Sequence, residues 1–554
     1  MAEVRAREFL AEVTAELKPL STAVSRAHWQ ASTTGTAEAL ERATEAETRL
    51  RLFLSSKPRY QEIMELLESQ EFRDPLLRRQ LELLALDHRP NQLPEHVIDD
   101  LVRRGNEIQS EFYSFRARLD GREVTNNEIL EVLRSERDEG RRRAAWEASK
   151  QIAPRVESRL RELVSRRNDA ARSLGYRDYY VMQLDLQEID GAELMRVFDE
   201  LERRTDGPFE EAKAAIDRRL AKLYGTTPEA LRPWHYEDPF FQESPLSAER
   251  GLDVFYRGRD LLEIADRFFK GIGLDVRDIL DRSDLYERSG KDQHAYCTNI
   301  DREGDVRILC NLKDDDRWMT ILLHELGHAA HEKYMPDTLP WLLRQPAHIA
   351  TTEATAMFMD RLAYDIDWLE RAAAASPDDR SALQERMWDS LRFEMLLTAR
   401  WVLVMTHFER ALYADPDRSD LDALWWDLVE DLQRLTRPEH RQAPDWAAKI
   451  HLTAAPVYYH NYLLGELIAS QLGAAIRREL LDGAPARGYV GCDALGAFLR
   501  DRLFAHGASR HWQSLLESAT GSRLSPEPFL AEFVDRSSPD VVGFRNPDTG
   551  PPPN

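Results

Sequence analysis

The sequence predicts a large all-α protein, and three observations carry that prediction. Apolar residues recur mostly at helical spacing along the chain. Charged residues make up 31% and hydrophobic residues 42% of its 554 positions, a balance suited to many half-buried helices. No long Gly-, Ser- or Pro-rich linker interrupts it before the last residues. A single domain over residues 1–536 is expected, followed by a Pro-, Gly-, Asp- and Ser-rich tail over residues 537–554 expected to be disordered.

The elements follow in order. Residues 5–67 read as helices broken near residues 31–36, with amphipathic pieces at 8–17 and 37–54. Residues 77–137 continue in the same way, with breaks at 90–94 and 120–126. Residues 141–174 read as one strong helix ending at Gly175, a natural C-cap. Tyr176, Tyr179 and Tyr180 then read as core. Trp234, His235, Tyr236, Phe240 and Phe241 crowd among prolines within residues 228–245, either as a pocket wall or as a packed loop. Helix is expected again over residues 248–273.

One β element stands out. Residues 294–300 and 306–310 flank a turn at 301–305 and read as a hairpin. Its edge strand can pair with an extended peptide backbone, or the hairpin is purely structural. Cys297 and Cys310 are roughly opposed about the turn, so a cross-strand disulfide is geometrically possible. In a cytoplasmic protein free thiols are expected.

Immediately after the hairpin comes His324-Glu325-Leu-Gly-His328, inside a run that reads as a helix. Asp314, Asp315 and Asp316 stand at its start, where carboxylates suit exposed N–H groups and the helix dipole. Trp318, Met319, Leu322, Leu323, Leu326 and Ala330 form an apolar stripe at helical spacing. Residues four apart share a helix face, so the two imidazoles point at one place. That spacing supplies two zinc ligands, with Glu325 beside them to take a proton from water. A catalytic zinc takes three protein ligands, and the third candidate is Glu353. It lies on a second helix-like run, residues 348–362, after a loop holding Pro336, Pro340 and Pro346. The alternative is an exposed helical glutamate, of which the chain holds many, but small and apolar neighbours are an odd setting for an unpaired carboxylate.

The last informative stretch is 449–466, with Lys449, His451, Tyr458, Tyr459, His460 and Tyr462 ahead of an apolar helix. Peptide hydrolysis by zinc develops an oxyanion that needs donors besides the metal. A histidine and a tyrosine can donate to it, and a lysine can receive a substrate carboxylate. A buried aromatic turn is the alternative.

Together these motifs resemble the peptidyl-dipeptidase A family, typified by angiotensin-converting enzyme. The match runs through His324, His328 and Glu353, through His294-Ala295 followed by Asp305-Val-Arg-Ile308, and through Lys449-x-His451 and Tyr459-x-x-Tyr462 with one inserted residue. His28-Trp-Gln and Ala145-Trp-Glu-Ala extend it to the N-terminal helices, so it covers most of residues 5–530. The resemblance implies a helical fold with a deep central channel between two halves, the N-terminal helices as a lid and the hairpin at the active site. It implies zinc on His324, His328 and Glu353, with Glu325 as general base and then acid. It implies that His451 and Tyr462 steady the oxyanion, that His294 and Ala295 hold the substrate backbone, and that Lys449 and Tyr459 grip its C-terminal carboxylate.

Departures from the pattern are equally specific. His331 and the run Tyr459-His-Asn-Tyr-Leu are closer to the thimet oligopeptidase and oligopeptidase F family. Met357 stands where angiotensin-converting enzyme has an aspartate supporting a zinc histidine, which makes Asp360 a candidate for that role. No glutamine is assigned to the carboxylate grip.

The expected activity is hydrolysis of short peptides, releasing dipeptides from a free C-terminus. The alternatives are an endo-acting oligopeptidase or carboxypeptidase of the same fold, and a non-catalytic helical binding protein.

Composition bounds the partners. The net charge of −23 argues against a nucleic-acid partner, because phosphate binding needs a basic surface. No apolar run approaches the ~20 residues of a membrane span. The charges in the first eight residues stand where a signal peptide has its apolar core, so the cytoplasm is expected. Three cysteines, Cys297, Cys310 and Cys492, form neither a disulfide framework nor a Cys-based metal site.

Overall fold

Capping chemistry sets the helix boundaries. The first helix, Ala2–Thr34, stops where Gly35 takes a φ of 63°. Thr36 then caps Ala37–Leu54 by accepting the Ala39 N–H. The computed structural model describes residues 2–69, 72–245, 251–480 and 488–535. Within them helices dominate, and the only sheets are two two-stranded ones. The all-α class is therefore the observed one. The tail expected over residues 537–554 lies outside the described residues.

Three local expectations change. The single helix over 141–174 is two, Glu139–Ser149 and Ala153–Ser173. Pro154 sits in the first turn of the second, where its missing N–H costs nothing, and it could not sit mid-helix. The break at 120–126 holds the turn and second strand of a further hairpin, β1 (Ala117–Leu119) with β2 (Arg122–Val124). Asp120 and Gly121 both adopt positive φ there, which makes the Asp-Gly pair a hairpin turn. Between residues 251 and 260 the expected helix is reduced to one 3₁₀ turn, Asp253–Phe255: Gly251 and Gly258 are left-handed, and Asp260 starts a new helix, Leu261–Gly271, by accepting the Leu262 and Glu263 N–H groups. The beginning of that expected helix, 248–250, lies outside the described residues.

The chain divides into two compact units, one made of residues 1–92, 251–388 and 464 onward, the other of 93–250 and 389–463. No shift of composition marks the crossings. In the second unit a cluster of aromatic rings forms the core: Trp146, Trp401, Trp425, Trp426, Phe408 and Trp446 are buried. The aromatic segment belongs to this core as a packed loop, with Trp234, Tyr236 and Phe241 buried. Pro239 O, in that loop, accepts from Trp146 Nε1 at 3.0 Å and from Lys150 Nζ at 2.9 Å.

The first unit contains the helix Asp316–Lys333 and, after a proline-rich loop, the helix Ile349–Asp360. Asp315 caps the former by accepting the Trp318 N–H at 2.8 Å. Met319, Leu322, Leu323, Leu326 and Ala330 are fully buried, as the stripe requires, while Trp318 is half-buried. Strands β3 (Tyr296–Asn299) and β4 (Val306–Leu309) pair antiparallel beside this helix. Leu309 also bridges Asp284, leaving β3 as the edge strand. The register sets Cys297 opposite Ile308, so the two hairpin cysteines are not cross-strand partners, and both are free thiols.

The two helices touch backbone to backbone. A Cβ on Gly327 would lie 2.6 Å from Ala356 Cα and 3.0 Å from Thr355 O. Only glycine permits that approach, because the obstruction is main chain and cannot rotate away. Gly327→Ala is expected to destabilise the protein by about 1–3 kcal/mol and to loosen metal retention with it. Denaturant unfolding followed with chelator competition checks both effects.

Candidate metal centre

His324 and His328 sit one turn apart on Asp316–Lys333, with ring centroids 4.9 Å apart. Glu353 rises from the facing helix, and its Oε2 lies 3.7 Å from both Nε2 atoms. The three ligand atoms lie within 4.8 Å of one another. A tetrahedral ion with ligand bonds of about 2.1 Å separates its donors by about 3.4 Å, so this set is spaced for one ion. Two imidazoles and one carboxylate, with the Glu325 carboxylate beside them, is also the donor chemistry zinc takes when it keeps a position open for substrate.

The opposite ring atoms are held as well. His324 Nδ1 meets Asp360 Oδ2 at 2.8 Å, and His328 Nδ1 meets Thr352 Oγ1 at 2.8 Å. With Nδ1–H donated to those oxygens, each Nε2 presents its lone pair toward Glu353. Asp360, the candidate for the role Met357 cannot fill, thus supports a ligand ring. It reaches His324 from two helical turns beyond Glu353. Thr352 was not anticipated. Its only sequence signal is a hydroxyl one residue before the carboxylate ligand.

Electrostatics favour a cation here. Burial works against charge on His324, but the Asp360 hydrogen bond and the charges of Asp360, Glu325 and Glu353 override it and raise its pKa to about 10. Burial, with the His324 and His331 charges, pushes His328 well below its ordinary value. A divalent ion between the rings meets the same demand for positive charge without requiring either ring to be protonated. Glu325 is buried, and its Oε2 has no hydrogen-bond partner. Burial first, then the charges of Glu353 and Asp360, raise its pKa to about 7 against the pull of His324. An orphaned carboxylate oxygen with a pKa near neutrality suits a general base.

Two further contacts brace the ligand helix. A Cβ on Gly465 would lie 2.8 Å from Met357 Sδ and 3.0 Å from Glu353 Cβ, so this glycine lets the helix His460–Leu480 approach the ligand. The buried Arg361 guanidinium, just past Asp360, pairs with Glu466 and lies 3.5 Å from Glu532. His331 is not a ligand: its Nδ1 meets Thr355 Oγ1 at 3.1 Å, and its ring packs on Phe504. Burial alone takes its pKa to about 3.

His294 and Ala295 lie just before β3. His294 is exposed, and its N–H donates to Asp292 Oδ1. They belong to the same unit as the metal ligands.

The other unit gathers the second group of expected residues. Lys449 Nζ is buried and donates to Gln242 Oε1. It lies 5.1 Å from the Phe240 and Trp401 ring centroids and 5.6 Å from that of Tyr459. Burial lowers its pKa to about 8, against the charges of Asp238 and Glu243. The Tyr459 ring lies 5.1 Å from His451 and 5.6 Å from Tyr462. Lys449, His451, Tyr459 and Tyr462 are thus brought together.

Gln242, the partner of Lys449, was not singled out in the sequence. It follows the aromatic segment directly, and Asp238 Oδ1 fixes its backbone by accepting the Phe240 and Gln242 N–H groups at 2.9 and 3.1 Å. Val457, two residues before Tyr459, holds a φ of 56°, rare for a β-branched side chain. Glu409 Oε1 accepts its N–H at 2.8 Å, and Gln187 Nε2 donates to its carbonyl at 3.1 Å.

With this geometry in place, comparison with known proteins gives two matches along the chain. The family model described as peptidase family M3 matches residues 281–535, and the one described as angiotensin-converting enzyme matches residues 1–232. The angiotensin-converting enzyme-related protein of Drosophila melanogaster is 23% identical over 324 residues, covering 54% of this chain and 49% of that protein. The angiotensin-converting enzyme of Haematobia irritans exigua is 24% identical over 316 residues, covering 53% and 51%. The chain spans about half the length of these curated relatives.

The support of His324 by Asp360 generates a direct test. Asp360→Ala is expected to weaken zinc binding about 10–100-fold while leaving the helices intact. Chelator competition read beside circular dichroism distinguishes that outcome from misfolding.

The ligand set and the two matches agree: the chain is similar to angiotensin-converting enzyme through residues 1–232 and to peptidase family M3 through residues 281–535, and both are families of zinc-dependent metallopeptidases.

Proposed function

We propose that this chain is a zinc metallopeptidase that hydrolyses short peptides and releases dipeptides from a free C-terminus. The observation that carries the peptidase reading is the three-ligand set with an orphaned, buried Glu325 oxygen beside it. The free C-terminus is supported by Lys449 and Gln242, a buried ammonium and an amide on one hydrogen bond within reach of the Tyr459 ring.

His324, His328 and Glu353 would hold zinc, which when bound acts as a Lewis acid on the scissile carbonyl and makes hydroxide available near neutral pH. Glu325 takes the proton of the attacking water at its free Oε2. As the carbon–oxygen bond forms and the carbon–nitrogen bond breaks, it passes that proton to the leaving amine. Tyr462 and His451 donate to the negative charge that develops on the carbonyl oxygen. His294 and Ala295 align the peptide backbone, and Lys449, Gln242 and Tyr459 receive the terminal carboxylate.

An endo-acting oligopeptidase or carboxypeptidase is the second reading. The M3 match across residues 281–535, which include all three proposed metal ligands, is the observation that supports it. Among the described residues no helix is long and apolar enough to cross a membrane. A cytoplasmic setting is supported by three free thiols.

Glu325→Gln is expected to keep zinc content near wild type while losing most turnover. Metal analysis beside peptide cleavage measures both, and full activity would remove Glu325 from the mechanism. Amidating the C-terminus of a good substrate should cost roughly ten- to a hundred-fold in kcat/KM, the worth of a charge-assisted contact of about 1.5–3 kcal/mol. Lys449 must be protonated to hold a carboxylate, so KM for the free peptide should rise as pH passes above about 8, while that of the amide should not. Equal cleavage of both peptides favours the second reading, and mass spectrometry of the products identifies which bond is cut.

A further inference from the structure

Val457 is buried at 1% exposure with a φ of 56°, a conformation that a β-branched residue keeps only when its surroundings fix it. Both of its peptide groups are held, by side chains from different helices. Glu409, on Arg380–Ala414, accepts the Val457 N–H at 2.8 Å. Gln187, at the end of Tyr179–Leu186, donates to the Val457 carbonyl at 3.1 Å. Glu409 is itself buried, so its bond is made away from solvent.

The Gln187 amide also reaches past Val457. Its Oε1 accepts from Asn461 Nδ2 at 2.8 Å and meets His460 Nε2 at 3.2 Å, and both of those side chains are buried. One amide therefore ties the strained residue to the turn that carries Tyr459 and Tyr462. Before Val457 the chain is anchored separately. Arg167, on Ala153–Ser173, donates to the carbonyls of Leu452 and Thr453 at 3.1 and 2.8 Å, directly after His451. Pro456 fixes its own φ, which leaves Val457 as the joint between this anchored stretch and the tyrosines.

The joint sets one wall of the Lys449 site. The Tyr459 ring lies 5.6 Å from Lys449 Nζ, and it stands at 90° to the Trp401 ring, 5.9 Å away. All of these residues belong to one compact unit. With a negative φ at Val457 the chain would leave in another direction, and the ring would lose both contacts.

We propose that Gln187 and Glu409 are positioning residues for the carboxylate grip: they hold Val457 in its left-handed conformation and so set the Tyr459 ring against Lys449. This rests on the reading of Lys449 and Tyr459 as that grip. Neither residue touches the peptide; each acts through the backbone of Val457.

The test compares kcat/KM of the zinc-loaded enzyme for matched free-acid and amidated peptides. In Gln187→Leu and in Glu409→Leu the preference for the free acid should fall roughly ten-fold, the worth of one charge-assisted contact, with zinc content and the amide's kcat/KM unchanged. Burial raises the Glu409 pKa to about 8, against the Val457 hydrogen bond and the Arg167 charge, so near neutral pH glutamine reproduces its uncharged acceptor. Glu409→Gln should therefore keep the preference, and should Glu409→Leu fail to fold, Gln187→Leu carries the test. Glycine adopts a positive φ without strain, so adding Val457→Gly to Gln187→Leu should restore most of the preference. A side chain that contributed only packing would instead leave the double variant worse than the single one. A preference that survives both leucine variants, or a double variant worse than Gln187→Leu, overturns the inference. If wild type cleaves acid and amide equally, the carboxylate reading falls separately, and hydrogen exchange without substrate still decides the clamp. The Val457 amide, bonded to Glu409, should lose protection in Gln187→Leu, which leaves that bond's own partner in place; unchanged protection there overturns the clamp.

Discussion

Everything at the metal centre depends on how closely two helices can approach. Gly327 sits between the two histidine ligands and packs its bare Cα against the main chain at Thr355 and Ala356. That contact brings Glu353 Oε2 equally near both imidazoles, and it places Thr352 and Asp360 within hydrogen-bond reach of their far sides. A second glycine, Gly465, repeats the device from behind, so the carboxylate ligand is held between two close approaches. The ligand geometry is thus a property of the backbone, set before any side chain chooses a rotamer.

The charges around the centre form a graded set. Glu325, Glu353 and Asp360 concentrate negative charge on His324, while Arg361 neutralises Glu466 and Glu532 one layer further out. Buried ion pairs of this kind contribute little net stability, because desolvation offsets the attraction. Their effect here is to separate the carboxylates that face the ligands from those that do not. Lys449 in the other unit lies in a different setting, among aromatic rings with the Gln242 amide as its hydrogen-bond partner, and burial lowers its pKa to about 8.

Much of this was legible in the sequence, and the boundary of what was legible is physical. The two histidines, Glu325 and the apolar stripe could be read because a helix has a fixed period, so spacing alone gives direction. Glu353 could be read because a carboxylate among small apolar residues demands a partner. Asp360 could be suspected only after Met357 was seen to be unable to support a ring. Thr352 and Gln242 were not found: a hydroxyl and an amide carry no charge to betray burial, and their partners lie far off in the chain. The hairpin at 117–124 was missed because three-residue strands are too short to show alternation, although Asp120-Gly121 carried the turn signal. The helix breaks at 150–152 and 251–260 were missed because periodicity was followed through Pro154 and Gly258. The division into two units left no trace in composition, since both are helical with ordinary surfaces.

The braces behind Glu353 also set an order of events during synthesis. The ligand helix ends at Asp360, but Gly465 and Glu466, which back it, emerge from the ribosome about a hundred residues later. Until then the ligand helix lacks its rear support and the Arg361 charge lacks its partner. Contacts so distant in the chain close slowly, because loop entropy must be overcome before they form. A nascent chain therefore carries both histidines and Glu353 well before the residues that brace Glu353 from behind have been made.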